Sequence, residues 1–166
     1  MAGNRHAFEV LVARYQKPVF NAAYRMLDSA EDAREVTQTV FLKAFEKLDT
    51  FDPKYRFFSW IYRIALNESI NCLNRQKPLD SLDREPVSPT GGPAEQADDD
   101  QLNARVQAAL MTLKPEYRTV IILKHFLDCS YLEISQILDI PEKMVKSRLY
   151  SGRQLLKEAL VSSGLH

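Results

Sequence analysis

Apolar residues recur at helical spacing along two separate parts of this chain. The first run consists of Phe8, Leu11, Val12 and Tyr15, and a second occupies residues 36–48. Repeats of three and four residues are typical of the buried stripe of an amphipathic helix, and no segment alternates as a strand would. Breaks at Pro18, at residues 28–31 and at FDPKYRF predict three or four helices, packed as a bundle between residues 7 and 76.

The composition changes at Pro78. The stretch PLDSLDREPVSPTGGPAEQADDD holds four of the eight prolines and two of the five glycines, and it lacks aromatic residues. Such a stretch cannot bury a core, which predicts a flexible linker over residues 78–101. Helical periodicity resumes at Leu102 and is broken at LKPEY, LDCSY and DIPEK, giving four short helices. We therefore predict an all-α chain with two units, residues 1–77 and 102–166.

The second unit carries the pattern of a helix-turn-helix. Ser130 can cap the helix YLEISQIL, and Glu133 stands three residues later for the reciprocal bond. Asp139 tolerates a left-handed turn, and Pro141 can open the next helix. The small Ser135 allows the two helices to cross closely, so that Val145 reaches a shared core.

A helical wheel from Lys143 onward separates a cationic face from an apolar one. The exposed candidates are Lys143, Met144, Lys146, Ser147, Arg148, Tyr150 and Arg153. Lys and Arg presented after such a turn suit guanine acceptors and phosphates in the major groove of duplex DNA. The alternative is an ordinary solvated face, which the preceding turn chemistry makes the weaker interpretation.

The segment WIYRIALNESINCLNRQK, residues 60–77, contains three asparagines although asparagine is a poor helix former. The wheel aligns Trp60, Arg63, Asn67, Asn71 and Asn74 opposite a broad apolar arc. We call these five residues the base-reading stripe, because amides match base edges, guanidinium groups bind phosphate and indole offers a stacking surface.

Aromatic and cationic residues alternate just before that helix. The candidates for holding unstacked bases are Phe51, Lys54, Tyr55, Arg56 and Phe58, together with Trp60 of the stripe. Each base stacked on an aromatic ring contributes roughly 1–3 kcal/mol. Phe57 and Tyr62 are expected in the core instead.

Charge and cysteine usage narrow the functional classes. The 22 basic and 22 acidic side chains cancel, but residues 1–77 carry 12 and 9, residues 78–104 carry 1 and 7, and residues 105–166 carry 9 and 6. Two mildly basic units thus flank an acidic segment, residues 78–104. Cys72 and Cys129 are the only cysteines, and the histidines lack ligand-spaced companions, so neither a metal site nor another cofactor is expected. We expect Cys72 to be buried and Cys129, in a turn, to be more open. The chain lacks a signal peptide's apolar core and a spanning segment, which predicts a soluble, cytoplasmic protein.

These segments resemble a protein family along the whole chain. VTQTVFLKAF, LDTF followed by FFSWIYRIALNESIN, and the block LKPEYRTVIILKHFLDCSYLEISQILDIPEKMVKSRLYSGRQLLKEAL are similar to the extracytoplasmic-function (group 4) sigma factors of the sigma-70 family. The resemblance implies a sigma region 2 over residues 1–77 and a sigma region 4 over residues 102–166. It implies no enzymatic activity.

The resemblance also implies partners and residue roles. The partners are core RNA polymerase, through the clamp of its largest subunit and the flap of the second, promoter DNA as duplex and single strand, and an anti-sigma factor. Asn67 and Asn71 match the amides that read the minus-ten element, and Phe51 matches a position that packs against a flipped base. Lys146, Ser147 and Arg148 match the stretch that reads the minus-thirty-five element. The polymerase-binding candidates are Glu35, Gln38, Thr39, Phe41 and Lys43.

Two other classes are weighed against this interpretation. A conventional regulator would use only the helix-turn-helix, binding palindromic duplex as a dimer without polymerase, and would leave the asparagines unexplained. A small all-α enzyme is disfavoured, because the sequence shows no catalytic triad, paired carboxylates or phosphate-binding loop.

Overall fold

The computed structural model describes residues 2–76 and 94–164, with side chains for residues 5–76 and 99–164. These residues form seven α-helices and no strand, which confirms the all-α prediction. The first unit comprises α1 (Ala2–Leu27), α2 (Ala30–Glu46), a 3₁₀ turn (Leu48–Thr50) and α3 (Phe57–Gln76). The second comprises α4 (Ala94–Met111), α5 (Pro115–Ile121) continued by a π-helical turn (Ile122–Phe126), α6 (Tyr131–Leu138) and α7 (Glu142–Ser162).

The first three helices pack mutually around one apolar core. Its fully buried side chains include Val19, Met26, Leu27, Val40, Ile61 and Leu66. The turn between α1 and α2 is fixed by local chemistry: Asp28 has a φ of 54°, and the Ser29 side chain accepts a hydrogen bond from the Asp32 amide at 3.2 Å. This turn falls where the sequence predicts it.

The predicted interruption at Pro18 is wrong, because α1 runs continuously through it. Proline removes one helical hydrogen bond. The neighbouring Val19, Ala22 and Ala23 are at most 2% exposed, and burial of that face holds the helix together despite the missing bond.

In the second unit, α4 begins at Ala94, eight residues before the predicted start of helix at Leu102. Residues 77–93, which include most of the linker expected over residues 78–101, lie outside the described residues. The four helices share a core that includes Leu110, Ile121, Ile122, Ile134 and Leu149.

The helix-turn-helix forms as its local chemistry predicts. The Ser130 side chain accepts from the Glu133 amide at 3.1 Å, and the Glu133 carboxylate accepts from the Ser130 amide at 3.0 Å. Asp139 ends α6 with a φ of 55°. A further bond is not evident from the sequence: the Ser135 hydroxyl donates to the Ile140 carbonyl at 2.6 Å and braces the turn. Val145 beyond the turn is fully buried.

Within the described ranges, no helix combines the length and apolar character that crossing a membrane requires.

Candidate nucleic-acid interface

The base-reading stripe lies on the solvent side of α3. Arg63, Asn67, Asn71 and Asn74 are exposed and Trp60 is half-buried. The opposite side of the helix is buried by Ile61, Tyr62, Ala65, Leu66, Ser69 and Cys72. The amides are therefore free of the core and can present donors and acceptors to a ligand.

The aromatic residues beside the stripe divide into packed and open rings. Phe51, Phe57 and Trp60 form a triangle with ring centroids 5.3–5.7 Å apart, each half-buried. Phe57 also contacts Tyr15 at 5.4 Å, in accord with its predicted place in the core. Phe51 and Trp60 therefore offer only part of their rings to a base.

The remaining two aromatic candidates differ. Tyr55 is 52% exposed and is the open ring of the group. Phe58 packs against the buried Tyr62 at 5.8 Å, with the Arg56 guanidinium 5.8 Å from its ring centre. This contact makes Phe58 mainly a support for the loop rather than a free stacking surface.

The loop between the 3₁₀ turn and α3, residues 51–56, carries the cations. The Lys54 amide donates to the Asp52 carboxylate at 3.0 Å, which shapes the loop, while the side chains of Lys54 and Arg56 are exposed. We call residues 51–56 the aromatic loop.

The polymerase-binding candidates on α2 do not all face solvent. Glu35 and Gln38 are exposed, and Thr39 is half-buried with its hydroxyl donating to the Glu35 carbonyl at 3.0 Å. Phe41 is only 9% exposed and belongs to the core. Its ring cannot be offered to a partner, which corrects its inclusion in the predicted binding set.

Lys43 also makes a contact within the bundle. Its ammonium group forms an ion pair with Glu68 of α3, a carboxylate that the sequence does not reveal as buried. Glu68 is 7% exposed, and its ion pair with Lys43 offsets the free energy that the carboxylate loses on leaving water.

Sequence reasoning missed two exposed apolar residues on the same helix. Leu42 is 65% and Phe45 is 54% exposed. Together with Glu35 and Gln38 they follow helical spacing of three and four residues, so all four share one face. A wheel of α2, in addition to those of α3 and α7, could have found them.

The α7 candidates are almost all accessible. Lys143, Met144, Lys146, Ser147, Tyr150 and Arg153 are exposed, and Arg148 is half-buried. Val145, Leu149 and Gly152 anchor the helix from its other side. The Lys146 ammonium lies 5.7 Å from the Tyr131 ring centre, and the Arg153 guanidinium donates to His125 at 3.1 Å. The cationic face is thus oriented by contacts with α6 and the π-helical turn.

Both cysteines are buried. Cys129 is 2% exposed, contrary to the expectation of an open turn position, and burial raises the pKa of its thiol to about 12. Burial also raises the pKa of the Cys72 thiol. Neither residue therefore has the exposed, ionised thiol that oxidant sensing requires.

Exposed amides and a cationic helix-turn-helix face are both typical of proteins that bind nucleic acid. Residues 11–78 match the sigma-70 region 2 family, and residues 103–156 match the sigma-70 region 4 family.

The similarity extends along the chain. It is 33% identical to the ECF RNA polymerase sigma factor SigW of Bacillus subtilis, over 95% of this chain and 91% of that one. The solved structure of CnrH in complex with the cytosolic domain of CnrY is 28% identical, with a TM-score of 0.76 over 97% of this chain and 92% of that chain. The sigma factor RpoE of Bartonella quintana, solved with the anti-sigma factor NepR, has the same fold, with 22% identity and a TM-score of 0.77 over 93% and 96%.

The class is therefore that of bacterial sigma factors, which bind core RNA polymerase and promoter DNA and are not enzymes. Within it, this chain belongs to the extracytoplasmic-function (ECF) sigma factors of the sigma-70 family. A regulator that acts without polymerase is not supported, because the region 2 match covers residues 11–78, most of the bundle that such a regulator would use for another purpose.

Proposed function

We propose that this sigma factor divides promoter recognition between its two units. Residues 1–77 would bind polymerase and capture the melted minus-ten element, residues 102–166 would read the minus-thirty-five duplex, and residues 78–101 would connect them. The observation that carries the proposal is the exposed amide stripe on α3, whose opposite side is buried in the bundle.

The minus-ten role follows from the chemistry of the stripe and the aromatic loop. Asn67 and Asn71 would bind the Watson–Crick edges of non-template bases once these leave the stack. Tyr55, as the open ring, would stack on a base, with Phe51 and Trp60 forming the wall beside it. Lys54, Arg56 and Arg63 are exposed and would neutralise the strand's phosphates.

The minus-thirty-five role rests on the exposed face of α7. Lys143, Lys146 and Arg153 would contact guanine edges or phosphates. Met144 and Tyr150 are 41% and 68% exposed and offer apolar contact to thymine methyl groups. Ser147 and Arg148 complete the set.

Polymerase would be bound mainly through α2. Glu35 and Gln38 supply polar contacts to the clamp of the largest subunit, and Leu42 and Phe45 supply the apolar area that a specific interface needs at its centre. The second unit would contact the flap of the second subunit. Since polymerase and promoter are cytoplasmic, the protein would act there.

An anti-sigma factor is a further proposed partner. The solved relative CnrH was captured with the cytosolic domain of CnrY, and RpoE was captured with the anti-sigma factor NepR. A protein of that kind would hold this chain inactive until a signal releases it.

The test is transcription by purified core polymerase from a genomic fragment library, with and without this chain, followed by the Asn67→Ala/Asn71→Ala double variant. We expect new start sites with the wild-type chain. Because a matched amide–base pair contributes about 1–3 kcal/mol, the double variant should lose at least tenfold in open-complex formation. The matched control is Asn21→Ala, an exposed asparagine on α1 outside the stripe. Equal activity of both variants would exclude the role assigned to the stripe.

A further inference from the structure

Ser59 lies in the first turn of α3, directly before Trp60 of the base-reading stripe. The residue is 6% exposed, and its hydroxyl oxygen has no hydrogen-bond partner among the described residues. The backbone amide of Ser59 donates to the Arg56 carbonyl at 3.1 Å, so only the side chain is left unpaired. A buried hydroxyl without a partner costs free energy, and folded proteins contain few of them.

Two other buried hydroxyls of the first unit are satisfied within their own helices. Thr37 of α2 donates to the Ala33 carbonyl at 2.6 Å, and Ser69 of α3 donates to the Ala65 carbonyl at 2.8 Å. Each of these bonds reaches back four residues, one helical turn. The residue four positions before Ser59 belongs to the aromatic loop, because α3 begins only at residue 57. The Ser59 hydroxyl therefore remains available to a partner outside the helix.

Ser59 lines a cavity of about 570 Å³ beside the aromatic loop. The same wall includes the rings of Phe51, Tyr55 and Trp60 and the side chain of Arg63, while residues 135, 136 and 139–141 of the helix-turn-helix form the facing wall. Pockets for small planar groups have about 300–1,000 Å³ and combine aromatic walls with a few polar groups that fix orientation. The unpaired hydroxyl is such a polar group.

We propose that Ser59 is a specificity-determining residue for the minus-ten element, whose hydroxyl forms a hydrogen bond with the edge of one unstacked base. The inference rests on the proposed function, in which the aromatic loop and Trp60 receive such a base. Rotation about the Cα–Cβ bond moves a serine hydroxyl between staggered positions, so the oxygen can turn towards the cavity. Every group that the proposal uses belongs to the first unit, so the site does not require the facing wall.

A shielded hydroxyl discriminates between bases in a different way from the exposed amides of the stripe. A base with a matching donor or acceptor pairs with Ser59, whereas a wrong base leaves both groups unpaired away from water. Asn67 and Asn71 are exposed, so water can replace a base that does not match them. Ser59 should therefore act on the single base that enters the cavity, and the two asparagines should act on other positions of the strand.

Ser59→Ala separates this role from a structural one. Deleting an unpaired hydroxyl breaks no bond of the free protein, so the urea midpoint of Ser59→Ala should equal that of the wild type or exceed it. The matched control is Ser69→Ala, the same change at another buried serine of α3, whose hydroxyl already has a partner. Ser69→Ala should leave every base preference unchanged.

The readout is the base preference of the full chain bound to core polymerase. The probe is a pool of single-stranded DNA of randomised sequence, captured by core polymerase with and without this chain and then sequenced. We expect the wild-type chain to enrich a short motif. Ser59→Ala should reduce the preference at one position of that motif about threefold to tenfold and leave the other positions unchanged. Asn67→Ala/Asn71→Ala should reduce the preference at different positions.

Unchanged preferences at every position in Ser59→Ala would overturn the inference. An equal loss at all positions, or a lower urea midpoint, would overturn it as well, because the hydroxyl would then serve the fold. A wild-type chain that enriches no motif beyond that of core polymerase alone would overturn both the inference and the proposed minus-ten role. A loss at one position in Ser59→Ala, with none in Asn67→Ala/Asn71→Ala, would support the role of Ser59 and count only against the role of the asparagines.

Discussion

Lys43 of α2 and Glu68 of α3 form an ion pair across the first bundle, with the Lys43 side chain 40% and the Glu68 side chain 9% exposed. The lysine end is reached by water and the carboxylate end is not. Removing the lysine alone leaves a nearly buried charge without its partner.

Lys43→Met should therefore lower the free energy of unfolding by about 1–3 kcal/mol, less than for a fully buried pair because the lysine is partly solvated. Adding Glu68→Gln should recover part of the loss, because it removes the uncompensated charge. Urea unfolding of the two single variants and the double variant measures the coupling.

The control for that cycle is Lys47→Met, at the exposed lysine that ends the same helix. It should change the free energy of unfolding by less than about 0.5 kcal/mol. If Lys47→Met lowers the free energy of unfolding as much as Lys43→Met does, the ion pair between Lys43 and Glu68 contributes no stability of its own.

Capping of α6 should set the stability of the helix-turn-helix. Ser130→Ala deletes the acceptor for the Glu133 amide and should destabilise the second unit by about 0.5–2 kcal/mol. Ser130→Thr keeps a hydroxyl and should stay close to wild type. Thermal unfolding followed by circular dichroism distinguishes the two, and equal melting temperatures would contradict the importance of the cap.

Gly152 lies where α7 packs on α5. A Cβ there would stand 3.0 Å from the Ile121 Cδ1 atom and 3.4 Å from the Tyr117 Cβ atom. Alanine would gain about 1 kcal/mol of helix propensity but must displace the buried Ile121 methyl. We expect Gly152→Ala to lie within about 1 kcal/mol of wild type and Gly152→Leu to lose about 2 kcal/mol or more.

The cause can be isolated by combining Gly152→Ala with Ile121→Val, which removes the Cδ1 atom. The two changes should be less destabilising together than the sum of their separate effects. If the two changes in unfolding free energy are strictly additive in urea unfolding, the contact between the new Cβ atom at position 152 and Ile121 is not what destabilises Gly152→Ala.

The stability of the second unit should fall in mild acid because of His125. Burial, followed by the charges of Arg153 and Lys124, lowers the pKa of its imidazole below the ordinary 6.5. The unfolded chain then binds the proton more readily than the folded one. The stabilisation is fully present above about pH 6.5 and is lost as the pH falls through the lowered pKa.

His125→Gln should flatten this part of the stability profile, measured by urea unfolding from pH 5 to 8. A profile of unchanged slope would assign the effect to other groups.

The sequence predicts best where the causes are local. Ser130 and Glu133 bond across three residues, and the Asp139 amide donates to the Ser135 carbonyl across four, so the start and the end of α6 can be predicted without tertiary information. The exposed stripe on α3 is predicted equally well, because the wheel separates it from a continuous apolar arc.

Features that depend on distant parts of the chain were not predictable. Arg118 binds Met26 across 92 positions, and Glu68 meets Lys43 across 25. Cys129 is buried although its local sequence is that of an open turn. Pro18 breaks the pattern locally, yet packing of α1 keeps the helix intact. In each case, tertiary packing decides the outcome over local propensity.

Glu133 has two carboxylate oxygens with different tasks. Its Oε1 atom accepts the amide hydrogen bond that begins α6, while its Oε2 atom faces Arg56 of the aromatic loop. Selection therefore cannot adjust one task without affecting the other. Replacing Glu133 with glutamine would keep a reciprocal cap and remove the charge, whereas replacing it with alanine would remove both. Of these two changes, only the first separates helix initiation from the electrostatic contact between the units. Fewer substitutions should therefore be tolerated at this position than its partial exposure suggests.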